Sequence, residues 1–268
     1  MGYVKVRDIL ARIDAIAPFR LAEEWDNVGL MVGDTEWDIH HLGLTLDPLP
    51  DAMEEAFRKG CQGILTHHPL FFKPTHSIDL SSTLGRTIQM AIKGEMVVLT
   101  AHTNWDNAES GVSRVLAKKL RLNTITPLVQ AKLVQAKEEV GGAGAVGDLA
   151  AETSIREVLD RVKRAWNLTW LDYYGPVDGN VTRIALCGGS GGNLWPKALA
   201  MKADLYVTAD MKYHDIIDCL RAGLPVAIVD HGEMESVTLV ELAWYLSVPG
   251  DLELMLLDCR ALDTPLRL

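Results

Sequence analysis

Gly63-Ile64-Leu65-Thr66-His67-His68-Pro69 and Leu205-Tyr206-Val207-Thr208-Ala209-Asp210 carry the reading of this chain. Each opens as a short apolar run of strand length and ends in polar residues, and Pro69 would leave a parallel ladder without a donor. The second lies 142 residues after the first, and the same step lays Leu42-Gly43-Leu44 on Ile184-Ala185-Leu186 without a gap. A third strand recurs after a first-half excursion 13 residues longer, Val97 to His102 matching Val226 to His231. An acid then sits four residues past each histidine, in His102…Asp106 and His231…Glu235. Four matches in order predict a duplicated α/β unit, which brings equivalent strand ends and two sets of polar residues to one cleft.

Around these strands the pattern alternates with helical periodicity. Helices are expected over residues 5–17, 50–59, 83–93 and about 194–202, and strands over 30–32, 41–46, 96–100 and 181–187. After Pro127 the texture turns polar (Gln130 to Glu139) and then glycine-rich (Gly141 to Gly147). The boundary between halves is therefore expected near residue 128, giving 1–128 and 129–268, with the C-terminal segment packing back on the first half.

The chain has 268 residues, 48% of them apolar, enough for a buried core and against a disordered or fibrous protein. No apolar run reaches the ~18 residues of a membrane span. The N-terminal stretch mixes charge with apolar residues and lacks the uninterrupted core of a signal peptide, so a cytoplasmic location is expected. Lys and Arg number 26 against 36 Asp and Glu, a net charge of −10 that disfavours a phosphate backbone or an anionic membrane as partner. Cys61, Cys187, Cys219 and Cys259 form no C-x-x-C pair and read as buried small hydrophobes.

Five of the eight histidines, His67, His68, His76, His102 and His231, fall at or just beyond strand ends, where α/β folds build sites. Adjacent His67 and His68 could reach two ions, or one ion and an acid beside it. His231 and Glu235 share a face if residues 231–235 turn helically. Asp106 alone would read as a helix cap; beside His102 and its echo it reads as a ligand. Imidazoles with carboxylates and no nearby thiolate suit Zn, Mn, Fe or Co, and a carboxylate bridging two such ions supports hydrolysis.

Three further stretches have two readings each. Gly142 to Gly147 spells G-x-G-x-x-G but lacks a preceding strand and a following helix, which argues against a dinucleotide site. Gly188-Gly189-Ser190-Gly191-Gly192 follows a strand and precedes a helix, as a tight turn or an anion cradle. Trp25-Asp26-Asn27-Val28-Gly29-Leu30 is either an Asx turn leading into a strand or part of a base or sugar pocket. No P-loop motif occurs.

Six motifs stand in one order: W-D-N-V-G-L at 25–30, T-H-H-P at 66–69, A-H-T-N-W-D at 101–106, G-G-S-G-G at 188–192, T-A-D…Y-H at 208–214 and D-H-G-E-M-E-S at 230–236. In these the chain resembles the Nif-three-like dinuclear-metal proteins, also called GTP cyclohydrolase 1 type 2 homologues, over about residues 5–260. The resemblance implies a fold of two intertwined, similar α/β halves with mixed sheets, in the short form without an inserted middle domain. It implies two divalent metal ions per subunit: His67 and His68 each on a different ion, Asp106 sharing the first with His68, His231 on the second and Glu235 bridging. It implies that His102, Asp210 and His214 line the cleft, with His102 and His214 as proton-transfer groups, and that Ala209 stands where many relatives have glycine. It implies a toroidal homohexamer acting on a small molecule such as a nucleotide, with opening of the guanine ring of GTP as the named chemistry. A non-catalytic metal carrier or regulatory binding protein is the competing expectation.

Overall fold

The structure is a computed structural model and describes residues 2–131, 141–248 and 250–257. Most of the polar stretch at 130–139, and Cys259, lie outside the described residues. The chain forms two compact α/β units, one of Met1–Trp105 together with the chain from Leu239 onward, the other of Asp106–Thr238.

In the first unit the strands His41–Thr45, Gly63–Thr66 and Val97–Thr100 run parallel, as expected of apolar segments joined by helical crossovers. Gly29–Val32 closes one edge antiparallel to 97–100, and Glu253–Leu256 lies parallel to 41–45 at the other. Helices Pro50–Arg58 and Thr83–Lys93 lay Met53, Ala56, Ile88 and Ala91 on Ile64 and Val98. Neighbouring Leu65 and Leu99, which point the other way, are equally buried, so the sheet is covered on both faces. Gly63 is fixed by its neighbour: a Cβ there would stand 2.3 Å from the Val97 carbonyl oxygen.

The second unit repeats this order. Asn180–Leu186, Leu205–Thr208 and Val226–Val229 are parallel, and Leu171–Tyr174 closes the edge antiparallel to 226–229. Its other edge differs, because the ten-residue strand Ala145–Ser154 pairs antiparallel with 180–186 and then with Asn123–Thr126. The glycines at 142–147 thus belong to two strands, Gly142–Ala143 and the start of Ala145–Ser154, which bears out the reading against a dinucleotide turn. The core gathers Ala185, Ala198, Tyr206, Cys219, Leu224 and Val226.

The halves are intertwined through exchanged helices. Val112–Lys119, which follows the first half's third strand, packs in the second unit against 145–154. Leu239–Leu246, which follows the second half's third strand, packs in the first unit on 41–45 and 253–256. Composition puts the boundary near 128; the chain changes unit between Trp105 and Asp106, inside the short helix Thr103–Asp106. No helix among the described residues is long and apolar enough to cross a membrane.

Cys61, Cys187 and Cys219 are buried and free, as expected of small hydrophobes. Burial pushes the Cys219 thiol up to about 11. At pH 8 its thiolate is therefore scarce, and iodoacetamide should label it roughly two-hundredfold more slowly than an unperturbed cysteine. The rate should rise about tenfold per pH unit toward pH 11. Peptide mass spectrometry reads this directly; labelling at pH 8 as fast in the native as in the unfolded chain would overturn the buried placement.

Candidate metal centre

The first unit brings three imidazoles together. The parallel strand Gly63–Thr66 ends in His67 and His68, whose amides donate to the Thr45 and Leu46 carbonyls of the neighbouring strand. The next strand ends in Ala101-His102, where the His102 amide donates to Asn104 Oδ1 at 2.9 Å. Buried Asn104 also donates to the Ala17 carbonyl at 2.7 Å, which anchors the turn. Ligand atoms of His67, His68 and His102 all lie within 4.8 Å of one another.

Each of these rings is held through Nδ1. His67 Nδ1 is 3.0 Å from the Ala101 carbonyl, His68 Nδ1 2.8 Å from Asp47 Oδ1 and His102 Nδ1 2.9 Å from Asp26 Oδ1. Carbonyl and carboxylate oxygens only accept, so Nδ1 must carry the proton. That leaves the Nε2 lone pair as the coordinating position, the posture in which a partner oxygen orients a metal-binding histidine. Asp26 is itself tightly built: its side chain is fully buried and accepts from Thr103 N, Thr103 Oγ1 and Asn27 N as well as His102. Burial alone would raise its pKa; the bonds from His102 and Thr103 outweigh that and hold it at about 2.

The second unit contains the matching half. Asp230 caps the helix His231–Ser236 by accepting from the Glu233 amide at 2.9 Å. One helical turn then puts His231 Nε2 3.1 Å from Glu235 Oε2, as the spacing predicts. His231 Nδ1 is 2.6 Å from Asp210 Oδ2, which also accepts from Ser190 Oγ at 2.8 Å. Burial would lower the His231 pKa, but the hydrogen bonds and charges of Glu235 and Asp210 outweigh it and lift it to about 9. Burial also pushes the nearby Cys187 thiol up to about 12, and the charges of Asp106 and Glu235 push it further in the same direction. The two acids thus converge on one thiol, and that thiol stays protonated.

The glycine loop at 188–192 serves this half through space. The Gly188 amide donates to Ser113 Oγ and the Gly191 amide to Thr208 Oγ1, each at 3.1 Å, so neither is open to an anion. Gly189, at φ +63°, lies so close that a Cβ would stand 2.3 Å from Glu235 Oε1 and 3.3 Å from His231 Nε2. Its missing side chain is what admits the carboxylate.

Two expected histidines stand apart. His76 is exposed in the excursion after Pro69, and His214 is exposed in the first turn of the helix Tyr213–Arg221, its ring beside Tyr213. Neither joins a cluster of metal-capable groups among the described residues. Conversely, Asp47 escaped the sequence reading, and Asp26 was read only as an Asx turn or a pocket residue. Asp47 sits between Leu46 and Pro48, where nothing in pattern or spacing marks a partner of His68.

As a donor set, imidazole Nε2 atoms fixed from behind, joined by buried carboxylates and no ionised thiol, fit a borderline transition metal such as Zn, Mn, Fe or Co. The molecule is thus a duplicated α/β protein with groups that could hold metal at equivalent strand ends of both halves. Residues 4–261 match the model of the family described as Duf34/NIF3 (NGG1p interacting factor 3), and the chain belongs to that family. It is 33% identical over 240 residues to a GTP cyclohydrolase 1 type 2 homolog of Clostridium perfringens, covering 90% of each chain. Among solved structures, it resembles a Bacillus cereus protein related to NIF3, with TM-score 0.88 and 21% identity over 99% of this chain and all of the other. It also resembles reduced HcgD from Methanocaldococcus jannaschii, with TM-score 0.81 and 28% identity over 97% of this chain and all of the other.

Proposed function

We propose that this protein is a dinuclear metal protein and a metal-dependent hydrolase of a nucleotide or related small molecule. The observation that carries the metal reading is the shared posture of His67, His68, His102 and His231, each held through Nδ1 by an oxygen that fixes its tautomer. In the proposal His67, His68, Asp106, His231 and Glu235 hold two divalent ions, with Glu235 common to both. Ions held there supply Lewis acidity toward water and toward an electrophilic substrate carbon.

The chain's own residues supply the rest. His102, kept in one tautomer by the ionised Asp26, can accept a proton at Nε2 and return it to a leaving group. Exposed His214 is the weaker candidate for that step. The name of the Clostridium relative supports a ring-opening hydrolysis of the GTP cyclohydrolase kind. The proposal extends to a toroidal homohexamer in the cytoplasm. The family's description as an interacting factor favours a second reading, a metal carrier or regulatory binding protein without turnover.

Elemental mass spectrometry of untagged protein purified without chelator tests the metal reading, beside His68→Ala. About two transition-metal ions per chain are expected in the wild type, with a clear loss in the variant. No ion after reconstitution with Zn, Mn, Fe and Co would sink it. Metal-loaded wild type that turns over no member of a nucleotide panel would leave the carrier reading.

A further inference from the structure

The 13-residue excursion that distinguishes the first half ends its strand at His67-His68-Pro69 and returns to the chain at the helix Thr83–Lys93. It carries Phe72, 55% exposed, to within 5.5 Å of Trp25, 57% exposed. Both rings border the histidine cluster: Trp25 is 6.1 Å and Phe72 6.2 Å from the His102 ring, centroid to centroid. The pairing is tied in place, because Asn27 Nδ2 donates to the Phe71 carbonyl at 3.2 Å while neighbouring Asp26 is locked to His102 and Thr103. Two large aromatic rings held in solvent beside a cluster of candidate ligands are not explained by packing, since a core would have buried them.

The second half lacks the excursion, so the duplication supplies two sets of donor groups but only one aromatic shelf. We propose that Trp25 and Phe72 form the substrate-binding platform, which stacks the planar heteroaromatic ring of a small molecule beside His102. At 5.5 Å and 43° the two rings touch each other, so a ligand ring lies on their exposed faces and not between them. Its edge then faces His102 and the His67–His68 pair. The net charge of −10 favours contact through the ring over capture by phosphate alone. This inference rests on the metal reading for its chemistry but not for its binding step.

Guanosine 5′-monophosphate serves as the probe and ribose 5-phosphate as the ringless control. Both are titrated calorimetrically into wild type, Trp25→Ala, Trp25→Phe and Phe72→Ala, with metal content measured on the same samples. The nucleotide should bind at least about tenfold more tightly than the sugar phosphate, and Trp25→Ala should weaken it by roughly 5- to 150-fold. Trp25→Phe should restore most of that loss, and metal content should stay at the wild-type level in all variants. Equal nucleotide binding by Trp25→Ala and wild type would overturn the platform, as would metal-loaded wild type that binds neither probe or both alike. A change of oligomeric state in Trp25→Ala, seen by sedimentation in place of a binding change, would reassign the shelf to a contact between copies. Wild type without metal that still prefers the nucleotide would sink the metal reading and keep the platform.

Discussion

Glu235→Gln is expected to lose metal while remaining folded. The carboxylate is 3% exposed, sits 3.1 Å from His231 Nε2 and is reached across a gap that only a glycine at 189 leaves open. Glutamine keeps the shape but removes the charge and turns an amide group toward the cation. Changing a ligand's supporting partner costs 10- to 100-fold in affinity; losing the ligand itself should cost more than about 100-fold. The fold should survive, because a neutral amide in a buried position relieves the cost of desolvating a carboxylate. Gly189→Ala should have the same outcome by another route, its Cβ intruding on Glu235 Oε1 in a backbone conformation that disfavours side chains. Elemental analysis beside circular dichroism checks both. Wild-type metal content in both variants would exclude Glu235 as a ligand.

Trp166→Ala is expected to produce the largest loss of stability. Trp166 is fully buried after the helix Ile155–Ala165, and its Nε1 donates to the Leu116 carbonyl at 3.1 Å. Leu116 belongs to the helix that the first half contributes to the second unit, so one side chain secures the exchanged element. Removing a buried tryptophan costs about 3–5 kcal/mol through lost contacts and the cavity left behind. At this chain length that lowers Tm by roughly 10 °C. Trp166→Phe, which keeps most of the volume and loses the donor, should fall between. A Tm within about 2 °C of wild type in the alanine variant would contradict the packing described.

The strands of both sheets were legible because buried parallel strands are short apolar runs, and because duplication repeats them with the polar residues that follow. His67, His68, His102 and His231 were found in this way. Their partners were not, because a hydrogen bond from Asp47 to His68 joins residues 21 apart and from Asp26 to His102 residues 76 apart, with no periodicity to reveal them. The edge strands 29–32 and 171–174 are also 142 residues apart and pair alike, yet Gly-Leu-Met-Val and Leu-Asp-Tyr-Tyr share no pattern, since an edge strand is set by its one neighbour. The exchange of helices left no trace in composition. The crossing at Trp105–Asp106 lies in a buried helix, whereas composition shifts only where the chain meets solvent.

The strand Glu253–Leu256 has a consequence for biosynthesis. Asp106–Thr238 is one continuous segment, so the second unit is complete once residue 238 has left the ribosome. The first unit, although begun earlier, must wait for Leu239–Leu246 and for 253–256 to reach its edge beside 41–45. At about 5–20 residues per second, the 208 residues from Thr45 to Glu253 take roughly 10–40 s to synthesise. For that interval the apolar edge Leu42-Gly43-Leu44 is open to other chains. The N-terminal half is therefore made first and locked last, and its dependence on chaperones is set by when the C-terminal strand arrives.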